Sequence, residues 1–280
     1  MGKADLHIHT TASDGNSTPT QIVEIAVENK LQVIALTDHD TVAGFEEARQ
    51  AAINKPLEVL TGSEITAEFN GREAHLLAYC FDPDHKKIRT LLAGHKKARY
   101  DRGEWILTQL SKQGLEVDIN EVKAEADGSN IGRPHIAALL VKKGYVGSIR
   151  EAFIRYLSNR RLGEIPSDYL SCDEVIEIVK EAGGAVVVAH PGQMYNDEEL
   201  DELLDAGVDG LEVIHPSHNY ELQKEMEKYA NRHHLLKTGG SDFHGGNANY
   251  QKYFGVVTIS MEYVTALKRL TDQRKKMKVS

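Results

Sequence analysis

The chain holds only two cysteines, Cys80 and Cys172, and neither belongs to a C-x-x-C pair. That excludes a disulfide framework and leaves two reduced, partly buried thiols as the expectation. Long apolar runs are missing too. Nothing approaches the roughly 20 residues a membrane helix needs, so no membrane partner is expected. Positive charge is in deficit: 33 Lys and Arg stand against 42 Asp and Glu, a net charge of -9. Non-specific binding to long nucleic acid, which needs many cationic contacts to phosphates, is therefore disfavoured. Met1-Gly2-Lys3 runs straight into the first candidate strand and leaves no room for a signal peptide. With the unpaired cysteines, this makes a cytoplasmic location the expectation. Internal repeats, low-complexity segments and any signal for a protein partner are also lacking.

What is present suits a soluble α/β enzyme of 280 residues, with 41% hydrophobic and 27% charged residues. Strand and helix signals alternate from the start. Ala4–Ile8 reads as a strand, Thr18–Gln21 as a capping box opening a helix to Asn29, and 32–37 as a buried strand. A helix follows over 42–52. Two strands, 57–66 and 73–81, are joined by Asn70-Gly71, a strong hairpin signal. The rhythm then turns helical, with helices predicted at 86–112, 120–126, 134–143 and 148–155. Alternation resumes at Ser171, which caps a helix with Glu174. Strands are predicted at 185–189, 210–214 and 235–238, with helices near 198–205 and 220–232. The division is a barrel over 1–82 and 157–280, and a helical lobe over 83–156. A frayed, soluble helix end is expected at Arg274–Lys278, and a solvated helical face at His95–Arg102. Surface positions are expected for His85, His95, His233 and His234.

Four islands carry the chemistry: Asp5-Leu6-His7-Ile8-His9, Thr37-Asp38-His39-Asp40, Ala189-His190-Pro191 and Ser241-Asp242-Phe243-His244. Each ends an apolar run, where a strand of a parallel barrel would deliver its catalytic groups to one rim. His7 and His9, two apart on a strand, share a face. Asp242 and His244 repeat that spacing. Glu64 stands at another strand end, where a carboxylate could bridge two cations. His75 lies in an apolar strand and reads either as a ligand or as a satisfied core histidine. Nitrogen and oxygen ligands without cysteine suit Mn²⁺, Zn²⁺ or Fe²⁺. Arg133 reads either as a fork gripping a phosphate or as a surface arginine at a helix start. His215, after the strand 210–214, is a candidate phosphate contact or proton donor to the leaving oxygen. His135, His218 and Arg160 are further substrate candidates.

This constellation resembles the polymerase-and-histidinol-phosphatase (PHP) family of metal-dependent phosphoesterases. The resemblance implies a distorted (β/α)₇ barrel, the helical lobe over its mouth, and up to three divalent cations. It assigns His7, His9, Glu64 and Asp242 to a first metal. Glu64 bridges to a second metal on His75 and His190, and Asp14, His39 and His244 take a third. The lobe, Arg133-Pro134-His135 and Glu212–His218 are similar to the family's nucleotide-phosphatase branch. That implies hydrolysis of AMP-like phosphomonoesters or nucleoside 3′,5′-bisphosphates by a metal-activated hydroxide, with His215, Arg133 and Asp242 in catalytic roles. Rival readings are a 5′-to-3′ exoribonuclease on short RNA, a histidinol-phosphatase-like enzyme, and a metal-dependent amidohydrolase or deaminase. A non-catalytic module with structural metals is a fourth, disfavoured by the mixed His and carboxylate set.

Overall fold

A computed structural model describes residues 2–163, 168–192, 194–245 and 252–278. The strands are β1 (Lys3–Ile8), β2 (Val33–Leu36), β3 (Glu58–Leu60), β4 (Gly62–Phe69), β5 (Arg72–Tyr79), β6 (Ala185–Val188), β7 (Gly210–Ile214), β8 (Leu236–Gly239) and β9 (Ile259–Ser260). They pair as two sheets, in the orders β3-β2-β1-β9 and β4-β5-β6-β7-β8. Parallel bridges stitch the sheets at two places, Ile8 with Phe243 and His39 with Glu64. The fold is mixed α/β.

The predicted strand 57–66 is two strands. β3 pairs parallel with β2, whereas β4 pairs antiparallel with β5. The chain changes sheet at Thr61-Gly62. A Cβ on Gly62 would stand 2.6 Å from the Leu36 carbonyl, so only glycine permits this approach. The β4–β5 turn has positive φ at both Asn70 (50°) and Gly71 (76°), the geometry of a two-residue hairpin loop.

Helices flank the sheets, and their capping signals act as read. In α1 (Pro19–Glu28) the Gln21 amide N–H donates to the Thr18 hydroxyl at 3.2 Å, and Thr18 N–H donates to the Gln21 side chain at 2.8 Å. Ser171 and Glu174 form the same reciprocal pair at α8 (Cys172–Glu181). The remaining helices against the sheets are α2 (Phe45–Ala51), α9 (Asp197–Ala206), α10 (Tyr220–Arg232) and α11 (Met261–Met277). The tail is not frayed at Arg274. Its guanidinium donates to both Asp209 oxygens, at 2.7 and 2.5 Å, and to the Gly184 carbonyl at 2.8 Å. This fork fastens α11 to the start of β7.

Between β5 and α8 the described chain is helical. It comprises α3 (Lys86–Ser111), α4 (Ile119–Glu125), α5 (Arg133–Lys142), α6 (Ile149–Ala152), a π-turn over Phe153–Leu157 and α7 (Asn159–Leu162). Helix α3 joins two cores. Ile88 and Leu91 at its start pack in the sheet core, while Ile106, Leu107 and Leu110 belong to a helical cluster with Val122, Ile136 and Leu140. Both cysteines are free and buried, with burial pushing the Cys172 thiol up to about 12. No described helix is long and apolar enough to cross a membrane.

Candidate metal centre

His7 stands one residue before the end of β1, and His9 follows just beyond it; both are fully buried. Glu64 comes from β4, beside the loop that follows β2, and is buried. Its two oxygens divide the surrounding nitrogens. Oε1 faces His75 Nδ1 at 2.8 Å and His190 Nε2 at 3.1 Å. Oε2 faces His39 Nδ1 at 3.2 Å, His9 Nε2 at 3.3 Å and His7 Nε2 at 3.5 Å. Asp242 Oδ1 faces the same His7 and His9 nitrogens at 3.4 and 3.3 Å, and its Oδ2 faces His215 Nε2 at 3.3 Å. Asp14 stands on the other side, 3.4 Å from His244 Nε2 and 3.6 Å from His9 Nδ1.

All nine candidate ligands therefore converge. Among the described residues, four groups bring donor atoms within reach of one cation, three drawn from these ligands and one that adds His215: His9, Asp14, His39 and His244; His7, His9 and Glu64; His39, Glu64 and His75; His7, His215 and Asp242. His7 Nε2, both His9 ring nitrogens, His39 Nδ1 and His215 Nε2 are buried without a hydrogen-bond partner among the described residues. Buried polar atoms left this way are costly, and several imidazole lone pairs aimed at carboxylates are the donor set that divalent cations take. The residues fit metals. His215 Nε2 also groups with His7 and Asp242, beside the candidate ligands.

The electrostatics agree. Burial outweighs the nearby Glu64 and Asp14 carboxylates and, with the Arg99 charge, pushes His39 down to about 3, so it is neutral and able to ligate. Burial would also lower His75 and His244, yet the carboxylates of Glu64 and Asp14 respectively outweigh it and push both up to about 10. Without cations these two hold protons that a metal must displace. Three residues at the rim, Asp40, His190 and Asp242, sit at positive φ (51°, 31° and 49°). Strained backbone of this kind persists where the surroundings over-determine it.

Behind the ligands lies a layer whose partners the sequence did not assign. Glu212 on β7 bonds His7 Nδ1 at 2.9 Å through one oxygen and accepts the His190 amide at 2.7 Å through the other. Its signal was a lone carboxylate inside an apolar strand. Asp38 accepts from Thr10 N–H, Thr10 Oγ1 and Ser13 Oγ at 2.6–2.8 Å, shaping the loop that carries Asp14.

Helix α3 overturns the reading of 95–102 as a solvated face, and His95 is not a surface residue. His95, Arg99 and Arg102 are all buried and recur at the spacing of the apolar residues around them. The Asp40 carboxylate receives His95 Nδ1 at 2.9 Å, Arg99 Nε at 2.5 Å and both Thr66 groups at 2.8 Å. Arg102 pairs with Glu73 at 3.0 Å.

A cavity of about 140 Å³ opens beside Asp14, His39 and His75 and is lined by Arg99, Arg102 and Arg133. Arg133 is held by the Leu157 carbonyl at 3.3 Å and by Asn159. Burial and the neighbouring Arg102 lower its pKa. A wider cavity of about 650 Å³ adjoins it, running from Asp14 and His244 past Asn16, Asp127 and His135. His135 also caps α5, its Nδ1 accepting the Gly132 amide at 3.0 Å. His218 is buried behind His215, with Nδ1 bonded to the Val213 carbonyl at 2.9 Å. Arg160 is exposed on α7 and is not among the residues lining either cavity.

The PHP domain family profile matches residues 5–262. A 5′-3′ exoribonuclease of Haemophilus influenzae is 35% identical over 248 residues, spanning 86% of this chain and 90% of the relative. A 3′,5′-nucleoside bisphosphate phosphatase of Chromobacterium violaceum is 31% identical over 250 residues, 87% of this chain and 88% of the relative. Among solved structures, a candidate metal-dependent phosphoesterase from Bifidobacterium adolescentis has a TM-score of 0.86 at 37% identity, covering 95% of this chain and 96% of that one.

Proposed function

The chain belongs to the PHP domain family, and from that premise we propose that it is a metal-dependent phosphoesterase acting on compact nucleotides, as AMP-like monoesters or nucleoside 3′,5′-bisphosphates. The observation that carries the reading is the Glu64 carboxylate, with imidazole nitrogens of His75 and His190 on one oxygen and of His7, His9 and His39 on the other. That arrangement fits a carboxylate shared by two cations. The two bridged sheets are the halves of a distorted (β/α)₇ barrel formed by 1–82 and 157–280, with 83–156 as the lobe over its mouth.

Up to three cations (Mn²⁺, Zn²⁺ or Fe²⁺) would be held by His7, His9, Glu64 and Asp242, by Glu64, His75 and His190, and by Asp14, His39 and His244. When bound they supply an activated water and neutralise charge on the phosphoryl oxygens. His215, 3.3 Å from Asp242, would hold a phosphoryl oxygen or protonate the leaving oxygen. Arg133, with Arg99 and Arg102, offers guanidinium N–H groups to a second phosphate. A cavity of about 140 Å³ suits one such group better than an RNA strand.

The rival is 5′-to-3′ trimming of short RNA, which the Haemophilus relative's name favours. Phosphate release from AMP, from a 3′,5′-bisphosphate and from short RNA, each with Mn²⁺ and with chelator, tests both. Metal-dependent phosphate release from the mononucleotides supports the proposal. Release of mononucleotides from RNA with no phosphate from either monomer overturns it in favour of the rival, and activity indifferent to chelator removes both.

A further inference from the structure

Two histidines at the centre have a carboxylate on the ring nitrogen that faces away from it. His7 turns Nε2 toward Glu64 and Asp242 and gives Nδ1 to Glu212 at 2.9 Å. His75 is mounted the other way round. Its Nδ1 points to Glu64 at 2.8 Å, and its Nε2 meets Glu73 Oε1 at 3.1 Å. Glu73 and His75 are two apart on β5, so both project on the same face. The other oxygen of Glu73, Oε2, takes Arg102 Nη1 from helix α3 at 3.0 Å. Arg102 is buried and also lines the small cavity.

We propose that Glu73 is a positioning residue that fixes His75 as its Nε2–H tautomer, presenting the Nδ1 lone pair to a divalent cation shared with Glu64 and His190. Arg102 holds Glu73 in place, so the helical lobe sets the affinity of that cation. This rests on the metal-dependent reading above. A neutral imidazole carries one N–H, and an ionised carboxylate can only accept. Glu73 therefore selects the nitrogen that keeps the proton, and the remaining nitrogen is the one aimed at Glu64. Partners of this kind orient a ligating ring and raise its basicity, and losing them costs roughly 10–100-fold in metal affinity. Glu212 does the same for His7 from within the sheet. Glu73 does it from the lobe side, through an ion pair that spans two structural layers.

The test uses the metal-loaded full chain, equilibrated against graded chelator, with retained cation counted by elemental analysis. Glu73→Ala is expected to release one equivalent at a chelator concentration about 10–100-fold lower than wild type. Glu73→Gln, whose amide oxygen still accepts the Nε2–H, should stay closer to wild type, and Arg102→Ala should shift the same equivalent by less than Glu73→Ala. Histidine-selective ¹⁵N spectra of the Zn²⁺-loaded wild type give an answer independent of any variant's folding, and should show His75 protonated at Nε2. A His75 protonated at Nδ1, or a folded Glu73→Ala protein that keeps every equivalent at wild-type chelator concentration, overturns the proposal. Equal loss in Glu73→Gln and Glu73→Ala overturns the tautomer argument, since charge alone would then be responsible. A wild type that retains no cation would instead overturn the metal-dependent function itself, and this inference with it.

Discussion

Replacing Arg99 by Ala should cost the protein about 3 kcal/mol of stability. The Arg99 guanidinium donates to Asp40 Oδ2 at 2.5 Å and to Thr66 Oγ1 at 3.0 Å, with Arg99 and Asp40 both buried. Burial alone would raise the Asp40 carboxyl. Arg99 and the His95 hydrogen bond outweigh it and hold Asp40 well below the usual carboxylate range. Removing one partner of such a pair strands a buried charge, typically at about 3–5 kcal/mol. Asp40 keeps His95 and Thr66, which places the loss at the lower end, roughly a hundredfold in the folding equilibrium. Because the folded pKa is depressed, this stability is present above the unfolded value and fades as pH falls. The gap between wild type and variant should therefore narrow below pH 3.8. Urea unfolding at pH 7 and at pH 3 measures both. Arg99→Met combined with Asp40→Asn, which tolerates the 51° φ, should lose less than the two single changes added together. A loss below about 1 kcal/mol for Arg99→Ala, or strict additivity in the pair, would refute a buried charge pair as the joint between lobe and sheet.

Glu64→Gln keeps the shape of the bridge and removes its charge, so at least one equivalent of metal should vanish by elemental analysis. Full occupancy would rule out a bridging role. Arg133→Ala should raise the KM for a nucleoside 3′,5′-bisphosphate at least about tenfold, a charge-assisted bond being worth about 1.5–3 kcal/mol. p-Nitrophenyl phosphate should be much less affected, and equal loss on both would place Arg133 at the scissile phosphate. The cation-free protein should lose stability as pH rises from 6.5 to about 10, because folded His75 and His244 keep protons that the unfolded chain releases. Urea midpoints that climb over that window would contradict this.

Much of the centre was legible because its signals are local. His7 and His9 share a strand face, and Asp38, His190 and Asp242 follow apolar runs, so strand ends could be counted from the sequence. The Asn70-Gly71 turn and the Thr18 and Ser171 caps are also short-range chemistry. What escaped depends on partners distant in the chain. Glu212 acquires its meaning only when β7 lies near β1, and Arg274 only when Asp209 is beside it. The change of sheet at Gly62 leaves no trace in the alternation of residues, since β3 and β4 both read as strand. His95, Arg99 and Arg102 did carry a signal, charges at the helical spacing of a buried face, but solvated helices show the same composition. Only the buried carboxylates they meet decide between the two.

Those carboxylates also limit how the lobe can move. Arg99 holds Asp40, next to His39, and Asn130 donates to the carbonyls of both residues at 2.9–3.0 Å. Arg102 holds Glu73, two residues from His75. Each joint grips a segment adjacent to a candidate ligand. Lifting the lobe as a lid would leave the buried Asp40 and the half-buried Glu73 without their cations, at several kcal/mol for a fully buried charge. A hinge that paid this at each turnover would also release the loop that places His39. The wider cavity reaches Asp14 and His244 with none of these bonds broken, so substrate has a route to the centre while the lobe stays in place. These contacts fit a lobe that is a fixed wall of the candidate metal centre better than one that is a moving lid.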